Sequence, residues 1–126
     1  SIQEGERRDT TRYQVETGFA FTPDTMTFYT GRMNDMSITG MAGKTAAELE
    51  PGQMITLKLE DREQRVLYDI QAQVVWVNKV EKKQNENVFG ARYSDYSPSV
   101  VHNLIRQYVS QSPEDPPDPQ LGLFSR

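Results

Sequence analysis

The stretches that decide the fold of this chain are ERRDTTR at residues 6–12 and DMSITG at residues 35–40. Each has an ordinary explanation alone: a solvated, partly self-paired arginine cluster, and an Asx or Ser turn closed by glycine. The two occur in this order with strand-like sequence between them. This combination indicates a joint site, in which an anion-binding segment faces a group that recognises a base.

The residue types of both stretches suit one class of ligand. Guanidinium groups present forked donors that match phosphate oxygens and also stack on flat rings. An aspartate accepts hydrogen bonds from the paired N–H donors on the guanine Watson–Crick edge, and a short hydroxyl donates or accepts. A glycine lets the backbone approach closely or adopt positive φ. Together they predict a guanine nucleotide held without a P-loop.

Period-two alternation predicts a β-hairpin between the two stretches. Apolar and polar side chains alternate over 13–21, and residues 25–35 are rich in strand-forming types. Thr22-Pro23-Asp24 between them is turn chemistry. Because adjacent antiparallel strands run back alongside each other, we expect Arg12 and Asp35 to lie at the same end of the sheet.

Further strands and a helix are predicted along the rest of the chain. The strand candidates are a short irregular one within 37–47, then 54–59, 67–79 and 88–93. In the longest, one face is predicted to carry Ile70, Ala72, Val74 and Trp76. Trp76 is predicted to be a core or barrel-mouth side chain, with base stacking as the alternative. The inward positions of 54–59 are predicted to be Ile55, Leu57 and Leu59. Ser97 as N-cap and Pro98 at the first position start an amphipathic helix over 97–111.

The resulting domain prediction has four parts. Residues 1–12 form a flexible arm that carries the arginines, and 13–96 form an all-β barrel. Residues 97–111 form the helix, which covers a barrel opening or packs on the sheet. Residues 112–126 are proline-rich and acidic, so we expect disorder or a linker there.

Five sequence features together make the chain resemble a bacterial PilZ domain over roughly residues 6–96. They are the Glu-Arg-Arg-x-x-x-Arg and Asp-x-Ser-x-x-Gly motifs, Pro51-Gly52, VVWV at 74–77, and Phe89-Gly90. The resemblance implies a six-stranded antiparallel β-barrel, here with a C-terminal helix, that binds the second messenger cyclic di-GMP (c-di-GMP).

The resemblance also assigns binding roles residue by residue. Arg8 and Arg12 fall on the arginine motif, and Asp35, Ser37 and Gly40 fall on the second motif. In the family, the residue before the arginine motif influences whether one c-di-GMP or a stacked pair is held. Arg7 stands there in this chain, which favours the pair.

Composition and motifs exclude several other functions. The net charge of −4 opposes a general nucleic-acid binder, which needs a basic face. The absence of cysteine removes disulfides, thiolate catalysis and Cys-ligated metals. No recognisable catalytic string or metal motif occurs, and the one histidine, His102, falls on the polar side of the predicted helix. We therefore expect neither an enzyme nor a metal or cofactor protein.

The context of the chain is predicted only in outline. No apolar run reaches the length of a membrane span, and the chain begins Ser-Ile without a signal-peptide pattern. We expect a bacterial cytoplasmic protein, or the cytoplasmic portion of a longer one, with a protein partner or a fused output domain.

Two other functions remain open at the level of the sequence. One is an adaptor barrel that contacts a protein and binds no nucleotide, although divergent members of this kind usually lack the arginines that this chain retains. The other is a small oligonucleotide-binding barrel, which would need exposed aromatic and basic residues along one face. The net acidity and the confined basic cluster speak against it.

Overall fold

Six antiparallel strands and one helix make up the part of the chain that the computed structural model describes, residues 11–80 and 86–110. They are β1 Tyr13–Thr22, β2 Tyr29–Met36, β3 Gly40–Thr45, β4 Met54–Asp61, β5 Val66–Lys79, β6 Asn87–Asp95 and α1 Pro98–Ser110. Hydrogen bonds close the strands into a barrel in the order β1-β2-β3-β6-β5-β4. The predicted all-β fold, a six-stranded antiparallel barrel with a C-terminal helix, is confirmed.

Two segments of the predicted domain organisation lie outside the described residues. One is most of the arm, including Arg7 and Arg8, of which the structure describes only residues 11 and 12. The other is the acidic, proline-rich stretch 112–126. The division of the chain into arm, barrel, helix and tail therefore stays a prediction at its two ends.

The barrel interior is filled by side chains from alternate strand positions. Phe19, Phe21 and Phe89 are fully buried, and their ring centroids lie 5.8 to 6.3 Å apart. The predicted inward residues of β4 are buried too, namely Ile55, Leu57 and Leu59. A small barrel packed in this way has no room for a nucleotide inside. A ligand of that size must bind on the outer surface.

The connection between β1 and β2 is longer than the sequence predicts, because β2 begins at Tyr29 and not at Thr25. Asp24 Oδ1 accepts the backbone N–H groups of Met26 at 2.9 Å and Thr27 at 2.7 Å. The hydrogen bond from Thr27, which has the larger effect, and that from Met26 hold the pKa of Asp24 below its ordinary value. Residues 25–27 therefore turn around a carboxylate and do not join the sheet.

The predicted position of Trp76 on the core face is wrong. The pairing of β5 with β6 shifts register between Val74 and Trp76, so two successive residues of β5 point outward there. Val75 is 53% exposed and Trp76 37%, while Val77 packs against the core in their place. Ile70, Ala72 and Val74 are buried as predicted.

Helix α1 begins and packs as the sequence predicts. Ser97 Oγ accepts the backbone N–H of Val100 at 3.4 Å, which is N-cap geometry. The buried face consists of Val101, Leu104, Ile105 and Tyr108. The Tyr108 hydroxyl donates to the Glu60 carbonyl of β4 at 2.7 Å. His102 is exposed, as predicted.

A buried carboxylate fixes α1 to the end of β4. Asp61 is 1% exposed, and its Oδ1 accepts the backbone N–H groups of Glu63 and Gln64 at 3.0 Å and Gln107 Nε2 at 2.9 Å. Gln107 Oε1 in turn accepts the backbone N–H of Arg62 at 2.9 Å. Burial tends to raise the pKa of Asp61, but the hydrogen bonds from Gln107, Gln64 and Glu63 outweigh it and hold the pKa below the ordinary value.

Candidate ligand-binding site

The start of β1 and the end of β2 bring two predicted site residues together. Tyr13 pairs with Met36 and Gln14 with Asp35. Arg12, the residue before β1, therefore lies next to the end of β2. Arg12 Nη1 donates to Asp35 Oδ1 at 2.5 Å. The Arg12 side chain is 54% exposed and that of Asp35 28%. Both motifs therefore contribute to one solvent-accessible charged pair on the outer surface of the barrel.

The turn between β2 and β3 is built by Ser37. Its Oγ accepts the backbone N–H groups of Thr39 and Gly40 at 3.2 Å, and its own N–H donates to the Gly40 carbonyl at 2.8 Å. Ser37 is only 3% exposed. The hydroxyl thus shapes the turn that follows Asp35, and direct contact with a ligand, as predicted from the sequence, remains a prediction.

Gly40 is required by the close approach of two strands. A Cβ atom at this position would lie 2.4 Å from the backbone carbonyl oxygen of Ala91 on β6. Of the two reasons for glycine considered from the sequence, positive φ and close approach, the second applies here. Any side chain would push β3 away from β6 at the first residue after the Ser37 turn.

Tyr93 of β6 holds the same turn from inside the barrel. Its hydroxyl donates to the carbonyls of Gly40 at 3.0 Å and Ser37 at 3.3 Å, and its N–H donates to Thr39 O at 3.0 Å. The residue is 5% exposed, and burial raises the pKa of its hydroxyl well above the ordinary value. It therefore stays a donor throughout the physiological range. Tyr93 belongs to neither motif, so the sequence does not assign it a part in the site.

A floor of small residues crosses the outer surface beside Asp35. Asp35 pairs with Ala42, Ala42 with Gly90, and Gly90 with Trp76, so the four positions form one row over β2, β3, β6 and β5. A Cβ on Gly90 would lie 2.3 Å from Trp76 Nε1, so the indole rests directly on the glycine backbone. The row presents a carboxylate at one end, an aromatic ring at the other, and almost no side-chain bulk between them.

Cations flank this row on both sides. Gly40 pairs with Arg92 in the row nearer the Ser37 turn, and Arg92 is exposed with no ion pair to another described residue. Arg32 and Lys44 stand directly opposite each other in the row beyond Ala42, beside an open groove of about 650 Å³ that Glu16 and Glu86 also line. Lys44 Nζ lies 3.9 Å from Glu86 Oε2, which offsets part of the repulsion between the two cations.

The sequence predicts only part of this floor. Phe89-Gly90 and the VVWV segment at 74–77 are motifs of the sequence, but the contact of Gly90 with Trp76 depends on the bulge in β5. A period-two pattern cannot reveal such a bulge, because it assumes an unbroken alternation. The predicted residues Arg7 and Arg8 lie outside the described residues, so their distance from the floor is not defined.

The groups of the site are suited to non-covalent binding. In the described part of the chain, no group of three or more His, Cys, Asp or Glu side chains is placed to hold a metal ion. None of the helical residues described here forms a segment long and apolar enough to cross a bilayer. The chemistry that the site does provide is charge, hydrogen bonding and ring stacking.

A family model for the PilZ domain matches residues 6–111 of the chain. This range covers both motifs, all six described strands and the helix. No curated protein sequence matches the chain.

Solved structures share the fold at low sequence identity. The inhibitor of motility MotI/DgrA of Bacillus subtilis superposes with a TM-score of 0.62 at 16% identity, over 88% of this chain and 55% of that one. The PilZ domain of Escherichia coli YcgR with c-di-GMP gives 0.58 at 18% identity, over 81% and 91%. The K. pneumonia MrkH complex with c-di-GMP gives 0.56 at 15% identity, over 84% and 50%. The chain thus spans about half the length of MotI/DgrA and MrkH.

Proposed function

Because this chain belongs to the PilZ domain family, we propose that it is a receptor module for c-di-GMP, bound on the outer surface of the barrel beside Asp35. The observation that carries the proposal is the contact between Arg12 and Asp35, which unites the two motifs in one exposed site. Two of the solved structures with this fold are described as holding c-di-GMP, which supports the choice of ligand.

Each charged residue has a role that follows from its chemistry. Asp35 accepts the N1–H and N2–H donors of one guanine, for which a carboxylate is the matching acceptor. Arg12, with Arg7 and Arg8 from the preceding segment, binds phosphate oxygens and covers the guanine face. Because Arg12 now donates to Asp35, the guanine edge competes with it for the carboxylate, and ligand binding releases the guanidinium toward the phosphates.

The floor gives the purine a surface on which to lie. Ala42 adds little side-chain bulk beside Asp35, and the Trp76 indole, which covers Gly90, can stack with a base on its outer face. Arg92 lies in the next row, and its long side chain can reach a ligand that lies on the floor. In the proposal, Ser37 and Gly40 contribute mainly by fixing the turn that aims Asp35 at this surface.

The output follows from how the site is connected. Ligand binding orders the arginine-bearing segment that precedes β1, and so re-aims whatever is joined to it or docks on it. Since the chain spans about half of MotI/DgrA and of MrkH, such an output domain or partner lies beyond the barrel in this proposal. The cytoplasm, where the messenger would be encountered, is the proposed location.

Calorimetric titration with c-di-GMP tests the proposal. The unmodified protein should bind, while Arg8→Ala and Asp35→Ala should each lower the affinity by at least about tenfold, the value of one charge-assisted hydrogen bond. Arg106→Ala is the matched control, since Arg106 is an exposed arginine on α1 that pairs with Glu63, and it should bind normally.

Two outcomes of that titration would contradict the proposal. Unchanged affinity in both site variants would show that the ligand binds elsewhere. No binding by the unmodified protein would favour the alternative function, an adaptor barrel that acts through a protein partner without a nucleotide. One or two molecules of c-di-GMP per chain would be read directly from the stoichiometry, and Arg7 predicts two.

A further inference from the structure

One buried hydroxyl supports the whole turn that follows Asp35. The Tyr93 hydroxyl reaches both ends of the turn, at the carbonyls of Ser37 and Gly40, and the Tyr93 amide reaches its middle at Thr39. Since the residue is 5% exposed, water cannot easily replace these donors. The conformation of the turn therefore depends on a residue of β6, far away in sequence from either motif.

The same tyrosine also contacts the segment that leads into α1. Its ring packs against that of Tyr96, with the centroids 5.1 Å apart and the planes tilted by 58°. Tyr96 directly precedes Ser97, the N-cap of α1, and is itself packed against the core. The turn is therefore joined to the N-cap residue of the helix through the contact of the Tyr93 and Tyr96 rings.

We propose that Tyr93 is a positioning residue for the ligand site: it holds the turn in the conformation that aims Asp35, and it transmits ligand binding to the start of α1. The proposal rests on the proposed function, because it concerns the same site. Its core is that the hydroxyl, and not merely the ring, performs this task. The ring alone would keep the packing with Tyr96 but remove the hydroxyl donor from both carbonyls, so that Gly40 O would keep only its hydrogen bonds from Ser37.

Tyr93→Phe is the decisive variant because it removes the hydroxyl and keeps the ring. Tyr108→Phe is its matched control: Tyr108 is 3% exposed, and its hydroxyl also donates to a backbone carbonyl, that of Glu60, away from the turn. Both variants should unfold at similar, slightly lower denaturant concentrations. Only Tyr93→Phe should weaken c-di-GMP binding, by about five- to tenfold.

Amide hydrogen exchange separates positioning from a general loss of stability. In the unmodified protein and in Tyr108→Phe, c-di-GMP should slow exchange both at residues 37–40 and at residues 99–101. In Tyr93→Phe at saturating ligand, the slowing at 99–101 should be lost. Equal affinities of the two variants, or unchanged slowing at 99–101 in Tyr93→Phe, would overturn the proposal.

Exchange in the absence of ligand keeps this test apart from the test of the proposed function. Without c-di-GMP, Tyr93→Phe should exchange faster at residues 37–40 than Tyr108→Phe does. If the unmodified protein fails to bind c-di-GMP, the proposed function fails. The ligand-free comparison then still decides whether Tyr93 holds the turn, and equal rates in the two variants would show that it does not.

Discussion

Single residues in this site serve the fold and the proposed ligand together. The Arg12 side chain is exposed and that of Asp35 is partly exposed, whereas Ser37 and Gly40 are buried within the turn beside them. In the proposed function the motif combines one recognition group, Asp35, with two groups that place it. The recognition role of Asp35 stays a prediction from the sequence, which rests on the match between a carboxylate and the guanine donors. The sequence does not separate ligand contact from turn formation at Ser37, because a hydroxyl can do both.

Gly40→Ala should lower both stability and ligand affinity. Its Cβ would lie 2.4 Å from a backbone oxygen of β6, and such overpacking costs roughly 1–3 kcal/mol in the free energy of unfolding. Gly31→Ala is a matched control, since its Cβ would also lie 2.4 Å from a backbone oxygen, that of Lys44. Urea unfolding should show losses in both variants, with reduced c-di-GMP affinity in Gly40→Ala alone. Equal affinities would mean that the turn does not position Asp35.

Trp76 should report ligand binding directly. It is the only tryptophan of the chain and is 37% exposed at the end of the floor, so its fluorescence comes from the proposed site alone. A stacked guanine should quench the emission and protect the indole from acrylamide. The same titration with Asp35→Ala should leave the emission unchanged at equal ligand concentration. If the unmodified protein binds ligand with no change in emission, the base does not reach Trp76.

Elements of this fold were predictable where alternation is unbroken and unpredictable where it breaks. The strands and α1 follow from period-two and helical patterns, and the Ser97-Pro98 start holds as predicted. The errors lie at the Asp24 loop and the bulge before Trp76. In both places the local hydrogen bonds differ from those of a regular strand, so the period-two pattern does not hold. The bulge matters most, because it brings the indole onto the floor at Gly90.

The docking of α1 should depend on pH through Asp61. Because its folded-state pKa lies below the ordinary value of 3.8, its contribution to stability is present above pH ~4 and is lost as the pH falls through the folded pKa. Asp61→Asn should therefore cost roughly 1–3 kcal/mol at pH 7, where hydrogen bonds to the charged group are lost. The difference from the unmodified protein should shrink below pH 4.

Asp95→Asn is the control for that measurement, since Asp95 is exposed at the end of β6. At pH 7 and at pH 3, the urea midpoint of Asp95→Asn should match that of the unmodified protein. A constant difference between Asp61→Asn and the unmodified protein from pH 7 to pH 3 would contradict the role assigned to the carboxylate.

The whole molecule is a closed surface on which the site adjoins the two segments that leave the barrel. The described strands pair all the way round, so they offer no free edge to a partner strand. The arginine-bearing segment enters β1 at Arg12, and β6 leads through Tyr96 into α1 close to the same turn. In the proposed function, a signal from the ligand would therefore have two short routes out of the domain, one before β1 and one after β6.

The most direct test is a two-dimensional amide NMR titration of the protein with c-di-GMP. Convergence of the two motifs on one ligand predicts that the amides of Arg12, Asp35, Ala42 and Gly90 and the indole N–H of Trp76 all shift along one binding curve. Shifts confined to one motif, or centred on the loop around Met26 at the opposite end of β2, would contradict it.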